Sequence, residues 1–349
     1  MEKLRIGVIG CGGIARGTHL PGIEKSDCGL ITALCDINEK TLNEAGDKYG
    51  VPAARRFTDY RELIACGDVD AADICTPNNL HCEMGQEAVK AGKPFCVEKP
   101  VGINHGEVKK LEEAAAAAGV KAMVCFSYRF RPAVRYAKHL AEQGIFGEIN
   151  GACVQYLKSS AFMKGRRLDW RFDEKQARYG VSGDLGVHLI DLVQFLAGDI
   201  TSLCADTGIV VKERKKLDSE EIVPVTTDDY CNFIAKISGK ASATFTITRC
   251  APGNTNTISA DIYGDKGSVK FNLNKATEIE YCDMPEGKLQ KLEVPPEYHA
   301  SQMQYFVDLA LGKKDKEDKF VPLLSDGSKC QRVLDMIMDS VQTGEWINF

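Results

Sequence analysis

The 349-residue sequence lacks the features that mark several specialised classes of protein. It has no Cys-x-x-Cys pair, which argues against a zinc knuckle and against a dithiol redox motif. No apolar stretch approaches the length of a membrane-spanning helix, and the run Leu4–Ile9 is too short for a signal peptide. Basic residues number 44 against 49 acidic ones, so neither general nucleic-acid binding nor membrane binding is indicated.

Cysteine, by contrast, is abundant, and 14 residues of it are scattered between Cys11 and Cys330. We interpret them as reduced, mostly buried thiols, which predicts a cytoplasmic protein. The length favours two domains, because one hydrophobic core rarely serves a chain of this size.

The first third of the chain alternates short apolar runs with amphipathic segments, the order typical of βαβ units. Strands are predicted at Leu4–Ile9, Leu30–Cys35, Ala71–Cys75, Pro94–Val97 and Lys121–Phe126, and helices at Ile14–Glu24, Glu39–Tyr49, Leu80–Ala91 and His105–Ala118. Such an arrangement forms a parallel sheet with helices on both faces. We therefore predict an α/β Rossmann domain over residues 1–127.

From residue 128 onward the strand-like segments become longer and are joined by hairpin-type turns. Strands are predicted at Ile149–Leu157, Tyr230–Ile237, Ala241–Thr248, Thr257–Tyr263 and Ser268–Asn272, and helices at Leu185–Leu196, Ala300–Leu311 and Asp326–Gln342. This pattern predicts an α+β domain with a large, mainly antiparallel open sheet over residues 128–349.

A G-x-G-x-x-A fingerprint, Gly10-Cys11-Gly12-Gly13-Ile14-Ala15, follows the first predicted strand directly. In a dinucleotide site Gly10 permits the tight turn, Gly12 lets the backbone approach the pyrophosphate, and Ala15 packs the helix against the strand. The N–H groups at the start of that helix, around Gly13 and Ile14, face the phosphates. A glycine-rich turn without a ligand is the alternative, since such turns are common.

Asp36 closes the second predicted strand and strengthens the dinucleotide interpretation. An acid at this distance from the glycines can accept hydrogen bonds from both hydroxyls of the adenosine ribose. Its carboxylate would repel a 2′-phosphate, and Ile37-Asn38 supplies no arginine, so the predicted cofactor is NAD rather than NADP. The alternative role for Asp36 is to cap the helix that follows.

Further motifs occur in the order in which a known family has them. Thr76-Pro77-Asn78-Asn79-Leu80-His81 is followed by Glu98-Lys99-Pro100, Tyr128-Arg129-Phe130 and Asp184-Leu185-Gly186-Val187-His188. With the fingerprint, these motifs span nearly the whole chain, and the sequence resembles the Gfo/Idh/MocA family of oxidoreductases. The resemblance implies an NAD-dependent enzyme that oxidises a hydroxyl of a sugar or polyol.

Lys99 follows the predicted strand Pro94–Val97, and ligands of doubly wound sheets bind just beyond the carboxyl ends of the strands. A lysine there can hydrogen-bond a substrate oxygen and stabilise the alkoxide that forms as hydride leaves. The resemblance implies a cis Lys99–Pro100 bond and places Glu98 and Lys99 in the cofactor site as well. The alternative is an exposed lysine in a loop.

Asp184, His188 and Asp191 form one polar stripe on an otherwise apolar predicted helix. The resemblance implies that His188 is the general acid/base, a task suited to the pKa of histidine, and that Asp184 binds the substrate hydroxyl. Lys99, Asp184 and His188 are therefore the predicted catalytic residues. A structural histidine and a metal site are the alternatives, and no metal is predicted because Lys99 can supply the electrophile.

The resemblance also implies contacts with the nicotinamide ribose. The residues expected to make these contacts follow the predicted strand Ala71–Cys75 and are Thr76, Pro77, Asn78 and His81. A turn followed by a helix start is the alternative reading of Pro-Asn, and both roles are compatible.

Two further pairs are predicted to line the substrate site. The resemblance places Tyr128 and Arg129 against cofactor or substrate, with an interdomain contact as the alternative. Within the basic segment Lys158–Arg178, Trp170 could stack on a sugar ring and Arg171 could grip a hydroxyl or an anionic group. A solvated or subunit-contacting loop is the alternative for this segment.

The leading hypothesis is an NAD-dependent oxidoreductase that oxidises a secondary hydroxyl of a sugar, glycoside or cyclitol by hydride transfer. Redox-assisted glycoside cleavage with bound NAD, and a non-catalytic NAD-binding sugar sensor, are the alternatives. We also expect a homodimer or homotetramer assembled through the second sheet, because one face of it should otherwise expose apolar side chains.

Overall fold

A computed structural model describes residues 3–315 and 317–349 of the chain. The chain divides into two units, Met1–Ser127 with Ala300–Ser328, and Tyr128–His299 with Lys329–Phe349. This differs from the predicted division, 1–127 and 128–349, because residues 300–328 group with the first unit.

The first unit is built on a six-stranded parallel sheet in the order β3-β2-β1-β4-β5-β6. Its strands are β1 (Leu4–Ile9), β2 (Gly29–Cys35), β3 (Arg56–Phe57), β4 (Ala71–Ile74), β5 (Phe95–Val97) and β6 (Ala122–Val124). The chain leaves β1 toward one edge and returns to β4 on its other side. This reversal leaves a crevice at the carboxyl ends of β1 and β4, where Rossmann folds bind dinucleotides.

Short helices connect these strands, as predicted. They are α1 (Leu20–Glu24), preceded by the wide helical turn Ala15–His19, then α2 (Glu39–Lys48), α3 (Tyr60–Ala65), α4 (Asn78–Lys90) and α5 (His105–Ala117). Asparagine side chains cap the N-termini of α2 and α5: Asn38 Oδ1 accepts a hydrogen bond from Thr41 N, and Asn104 Oδ1 accepts one from Glu107 N. β3 and α3 were not predicted, because two and six residues are too few to show a periodicity.

The second unit holds a nine-stranded sheet in the order β16-β15-β14-β13-β7-β12-β11-β8-β17 and a separate hairpin of β9 and β10. Only the β7–β12 pair is parallel among the described pairings of this large sheet, so the mainly antiparallel sheet is confirmed. The elements are α6 (Pro132–Glu142), β7 (Ile149–Leu157), α7 (Glu174–Ala177), α8 (Val187–Ala197), β8 (Ile200–Gly208), β9 (Glu213–Lys215), β10 (Ile222–Pro224), β11 (Tyr230–Ile237), β12 (Ala241–Thr248), β13 (Thr257–Gly264), β14 (Ser268–Asn272), β15 (Glu278–Cys282), β16 (Gln290–Glu293) and β17 (Ile347–Asn348).

One face of the large sheet belongs to the core and the other is open. The buried face carries aromatic and aliphatic side chains such as Phe233 and Phe245, which stack at 4.0 Å, and helix α8 contacts β7. The opposite face carries a row that runs across five strands, Cys204, Ile234, Thr244, Cys153 and Asp261. This face is rich in small and hydroxylated residues, and the expectation of an apolar surface was wrong for most of it.

The segment after the sheet contributes α9 (Gln302–Ala310) and α10 (Leu324–Thr343), and the boundary between the units falls inside α10. Hydrogen bonds explain why residues 300–328 join the first unit. Asp27 N donates to Gln304 Oε1 at 2.9 Å, and Val124 N donates to Pro322 O at 2.8 Å beside β6. Among the helices of the described residues, none combines the length and apolarity needed to cross a membrane.

Candidate active site

The glycine-rich loop after β1 has the geometry that a dinucleotide site needs. Gly10 has a φ of 91°, and a Cβ atom there would lie 2.6 Å from the Cys75 carbonyl oxygen, so only glycine fits. Apart from the adjoining backbone of the loop itself, no atom of the described residues lies within 4 Å of the place where a Cβ of Gly12 or Gly13 would stand. The backbone is therefore open to close approach by a phosphate group at the start of the helical turn Ala15–His19.

Asp36 lies at the end of β2 and is joined to this loop. Its Oδ2 atom accepts a hydrogen bond from Cys11 N at 2.8 Å, and its Oδ1 atom accepts one from Asn38 N at 2.8 Å. The residue that caps α2 is Asn38, so the alternative role of Asp36 as that cap is not what the structure shows. The neighbouring Ile37 is 90% exposed.

Beneath the loop, a buried charged triad joins three elements of the first unit. His19 Nδ1 lies 3.0 Å from both carboxylate oxygens of Asp73 on β4, and His19 Nε2 lies 2.9 Å from Glu98 Oε1. Because both ring nitrogens face carboxylate oxygens, each must donate, and His19 is an imidazolium. Burial is the largest single effect and would lower the pKa of His19, but the Asp73 carboxylate together with other nearby groups raises the pKa well above the usual value.

Glu98 connects the buried triad to Lys99, the next residue in the chain. Burial is the largest single effect and would raise the pKa of Glu98, but the hydrogen bond and charge of His19, together with the charge of Lys99, lower the pKa, so the carboxylate stays ionised. Glu98 Oε2 also accepts from Lys99 N at 3.3 Å, and the Lys99–Pro100 bond is cis, as expected. Lys99 is itself half-buried.

His81 is buried and joins two loops of the first unit. Its Nδ1 atom lies 2.8 Å from Pro100 O and its Nε2 atom lies 2.7 Å from Thr76 O. Burial lowers the pKa of His81, although the two carbonyl contacts act in the opposite direction. The imidazole therefore fixes the relative position of the Thr76 and Pro100 backbones. Its predicted contact with a cofactor stays a prediction.

In the second unit, Asp184 and His188 lie one turn apart, on the helical turn Ser182–Gly186 and on α8. His188 is buried, and its ring centroid lies 4.3 Å from that of Tyr128. The Tyr128 hydroxyl is 2.7 Å from the Tyr156 hydroxyl, which donates to Asn256 Oδ1 at 2.9 Å. This chain of hydrogen bonds fixes the aromatic surface on which the imidazole rests.

Asp191, the third residue of the predicted stripe, pairs with Arg129. Nε of Arg129 lies 3.0 Å from both carboxylate oxygens, and its Nη2 atom lies 2.6 Å from Oδ1. The Arg129 guanidinium also stacks on Phe195 at 4.6 Å. Both residues are almost fully buried. Arg129 thus has a structural contact with α8, and its predicted contact with substrate or cofactor gains no support from this geometry.

Trp170 and Arg171 lie on a short helical turn between β7 and α8, and both are half-buried. The Arg171 guanidinium lies over the Trp170 ring at 4.4 Å, and its Nε atom lies 3.6 Å from Asp184 Oδ1. Arg171 therefore lies beside a predicted catalytic residue. One face of Trp170 is already covered by this cation.

Comparison with known proteins assigns the two units to one family. The model "Oxidoreductase family, NAD-binding Rossmann fold" matches residues 4–126, and the GFO/IDH/MocA C-terminal domain matches residues 134–270. The levoglucosan dehydrogenase of Pseudarthrobacter phenanthrenivorans is 30% identical over 298 residues, 80% of this chain and 76% of that protein. The chain belongs to the Gfo/Idh/MocA family of oxidoreductases.

Other family members resemble the chain over almost its full length. The glucose-6-phosphate 3-dehydrogenase of Bacillus subtilis is 26% identical over 349 residues, 96% of this chain and 95% of that protein. A solved structure of a levoglucosan dehydrogenase in complex with NADH and L-sorbose has a TM-score of 0.90 at 25% identity, covering 100% of this chain and 99% of that one. The predicted family, fold class and cofactor, NAD, are thereby confirmed.

The first unit of this Gfo/Idh/MocA oxidoreductase fits NAD on its own geometry. The open side of Gly12 and Gly13 admits a pyrophosphate, and the Asp36 carboxylate offers oxygen acceptors for ribose hydroxyls. Ala15 is fully buried, as the third position of the fingerprint requires.

Sequence reasoning missed the His19–Asp73 pair beneath this site. The available signal was Asp73, a charged residue inside a buried parallel strand, which requires a partner of opposite charge. Nothing in the sequence identifies His19 as that partner, because 54 residues separate the two.

We predict that His19→Ala destabilises the protein by about 3–5 kcal/mol near pH 8, because two buried carboxylates lose their cation. In the native protein the raised His19 pKa gives a contribution that is complete below pH 6.5 and disappears only as pH rises through the raised value. The lowered Glu98 pKa gives a contribution that is present above pH 4.5 and is lost as pH falls through the lowered value.

Urea unfolding at pH 8 and pH 5.5 checks this prediction. The deficit of His19→Ala should shrink at pH 5.5, since its uncompensated carboxylates can take up protons in the folded state. His299→Ala, at an exposed histidine, is the matched control and should lose little stability at either pH. A loss of less than about 1 kcal/mol at pH 8 would contradict the assignment of a buried imidazolium.

We predict that Asp36→Ser with Ile37→Arg lowers the ratio of kcat/KM for NAD to kcat/KM for NADP at least tenfold. The carboxylate that repels a 2′-phosphate is removed, and an arginine is placed at an exposed position beside it. The control is Ile37→Arg alone, which keeps the carboxylate and should shift the ratio much less. Equal use of both cofactors by the unaltered protein would refute this role of Asp36.

Proposed function

We propose that the protein oxidises a secondary ring hydroxyl of a sugar, glycoside or cyclitol. The observation that carries the proposal is the pair of Asp184 and His188, one helical turn apart on a chain whose first unit has a dinucleotide site. The names of its relatives, levoglucosan dehydrogenase and glucose-6-phosphate 3-dehydrogenase, support a sugar as the substrate class.

In this proposal three side chains act on one hydroxyl. Asp184 and a ring nitrogen of His188 share the hydrogen of the bound hydroxyl, and His188 takes it up as a proton when the carbonyl forms. The Lys99 ammonium donates a hydrogen bond to the same oxygen, where negative charge develops. When bound, NAD supplies the acceptor for the hydride that leaves the carbinol carbon.

The neighbours of these residues support the roles given to them. The Tyr128 ring against His188 restricts the imidazole, and the Glu98 carboxylate holds the backbone N–H of Lys99. Fixing a catalytic group in this way removes the entropy cost of orienting it during reaction. We propose positioning roles for Glu98 and His81, through their contacts with neighbouring loops.

The other predicted contacts remain part of the proposal. Toward NAD we propose the fingerprint, Asp36 and the start of α4, that is Gly10, Gly12, Gly13, Ile14, Ala15, Asp36, Thr76, Pro77 and Asn78. Toward the substrate we propose Tyr128, Trp170 and Arg171.

We expect NADH formation when the protein is given NAD and a panel of glucose, a simple glucoside, myo-inositol and a UDP-sugar. Lys99→Ala and His188→Ala should each lower kcat by about two to four orders of magnitude, the usual loss for an oxyanion donor or an acid/base. NAD affinity should stay within a few-fold, because neither side chain is assigned to the adenosine half. Absorbance of NADH and calorimetric titration with NAD measure the two quantities.

Lys110→Ala and His299→Ala are controls at exposed positions and should keep wild-type turnover. Near-normal turnover in Lys99→Ala or His188→Ala would remove that residue from the catalytic set. Release of nitrophenol from a nitrophenyl glucoside without net NADH would favour redox-assisted cleavage instead. A protein that binds NAD but turns over no member of a broad sugar panel would favour the sensor.

We propose a homodimer or homotetramer assembled through the open face of the nine-stranded sheet. Its central residues Ile234 and Thr244 are exposed and lie directly opposite each other on β11 and β12. A flat surface of small side chains suits an isologous contact between two sheets. Ile234→Arg with Thr244→Arg should give a monomer by light scattering at micromolar concentration, whereas Leu289→Arg, outside this face, should not. A monomeric wild-type protein would contradict the proposal.

A cytoplasmic location also remains a proposal. Ten of the fourteen cysteines are buried, and no disulfide joins any two of them. Buried thiols of this number persist in a reducing compartment. Localisation of a tagged protein by fractionation would test it.

A further inference from the structure

Four arginines gather around Phe172 and Asp184 in the second unit, and we call Arg166, Arg171, Arg214 and Arg249 the arginine cluster. The guanidinium carbons of Arg166, Arg214 and Arg249 lie 4.9, 4.4 and 5.0 Å from the centre of the Phe172 ring. The fourth member, Arg171, lies on the neighbouring residue and approaches Asp184. Three cations from three separate segments of the chain thus surround one buried ring, and the fourth lies beside Asp184.

Arg249 is the member that most clearly requires a further partner. It is 1% exposed, and its Nη1 and Nη2 atoms are buried with no hydrogen-bond acceptor among the described residues. The nearest carboxylate oxygen in an ion pair with it, Asp184 Oδ2, is 3.8 Å from Nη2, beyond hydrogen-bond length. A buried guanidinium whose terminal nitrogens have no acceptor is costly, so an acceptor supplied by a ligand would stabilise Arg249.

The Arg129–Asp191 pair of the same unit shows what a satisfied buried arginine looks like. There the nitrogen–oxygen distances are 2.6 to 3.0 Å and the contact involves two nitrogens of the fork. In the arginine cluster, the ion pairs with Asp184 measure 3.6 and 3.8 Å. The cluster therefore holds Asp184 between two cations without hydrogen-bonding it through either of those contacts.

Three other acidic residues lie near the arginine cluster, and each accepts at least one hydrogen bond from a backbone N–H group, although the Oδ1 atom of Asp229 has no partner among the described residues. Asp228 accepts from Gly180 N and Ser182 N, and Asp229 Oδ2 accepts from two backbone N–H groups, those of Val210 and Val211. Asp169 accepts from Arg171 N and lies 3.8 Å from Arg166 Nη2. These carboxylates lessen the positive charge, but the described contacts leave the Arg249 fork without an acceptor.

The electrostatics agree with an excess of cationic groups. Burial lowers the pKa of Arg166, and the nearby charges of Arg249 and Arg214 lower it further. On the more open side, Arg171 and Asp184 keep 35% and 28% of their side-chain surface exposed. A ligand group can therefore approach the arginine cluster from the side that holds Asp184.

We propose that the arginine cluster binds an anionic group of the substrate, a phosphate or a carboxylate, beside Asp184. Guanidinium forks bind both groups with paired, charge-assisted hydrogen bonds. The Arg171 fork is partly exposed, and the Arg249 fork is buried 3.8 Å from the same Asp184 carboxylate. The inference rests on the proposed function, because Asp184 is there assigned to the reacting hydroxyl. The substrate class is then an anionic sugar, such as a sugar phosphate or a sugar acid, in preference to a neutral one.

Steady-state kinetics with NAD and three related sugars test this inference. For glucose 6-phosphate or glucuronate, kcat/KM should exceed that for glucose at least tenfold, and the better of the two identifies phosphate or carboxylate as the group bound. Arg249→Gln should lower the ratio of anionic to neutral kcat/KM at least tenfold. Arg167→Gln removes a half-buried arginine of the same segment, whose guanidinium pairs with Glu220 outside the arginine cluster, and should leave the ratio unchanged. Glucose turned over as well as both anionic sugars would overturn the inference and leave the proposed function standing.

A binding experiment keeps the inference testable if no sugar is oxidised, or if Arg249→Gln does not fold. Isothermal titration of the wild-type protein with inorganic phosphate should show saturable binding below about 10 mM, weakened in Arg171→Gln and unchanged in Arg167→Gln. Absence of binding at this concentration would overturn the anion site. Phosphate binding without turnover of any sugar would support the anion site and count against the proposed function.

Discussion

Asp73 and Glu98 place two carboxylates inside the first unit, where water cannot solvate them, and the site depends on the cation between them. His19 meets both with its two ring nitrogens, at 3.0 and 2.9 Å. A buried carboxylate without a partner is costly, and this imidazolium is the partner that the two acids share. It also ties the turn after the glycine loop to β4 and to the residue that precedes Lys99.

Hydrogen bonds around the triad also fix the loop that holds Lys99. Glu98 holds the backbone N–H of Lys99, and His81 joins the Pro100 and Thr76 carbonyls on the far side of the same loop. The half-buried lysine thus extends from a backbone that the Glu98 carboxylate and the His81 imidazole hold in place. A fixed backbone sets the point from which the flexible lysine side chain extends, and so limits the positions that its ammonium group can reach.

The second unit uses buried charge in two contrasting ways. Arg129 and Asp191 satisfy each other and fix α8 to the segment that begins this unit. Arg249 is as deeply buried, but its fork has only a long contact to Asp184. The Arg129–Asp191 pair satisfies its hydrogen bonds within the chain, whereas the Arg249 fork lacks an acceptor among the described residues. We therefore expect the anionic group of a ligand to bind on the side of Asp184 that faces the arginine cluster.

The sequence by itself determined the βαβ order, the glycine fingerprint, Asp36 and the polar pair Asp184 and His188, because each is a pattern of residue types at a set spacing along the chain. Short elements such as β3 and α3 were beyond its reach, since they carry no periodicity. Only the tertiary structure decided the partners of buried charges: His19 with Asp73, Arg129 with Asp191, and the arginines drawn from three segments to Phe172. Such pairings join residues far apart in the chain, and a charged residue in a sequence shows that a partner is needed without showing which residue the fold will bring to it.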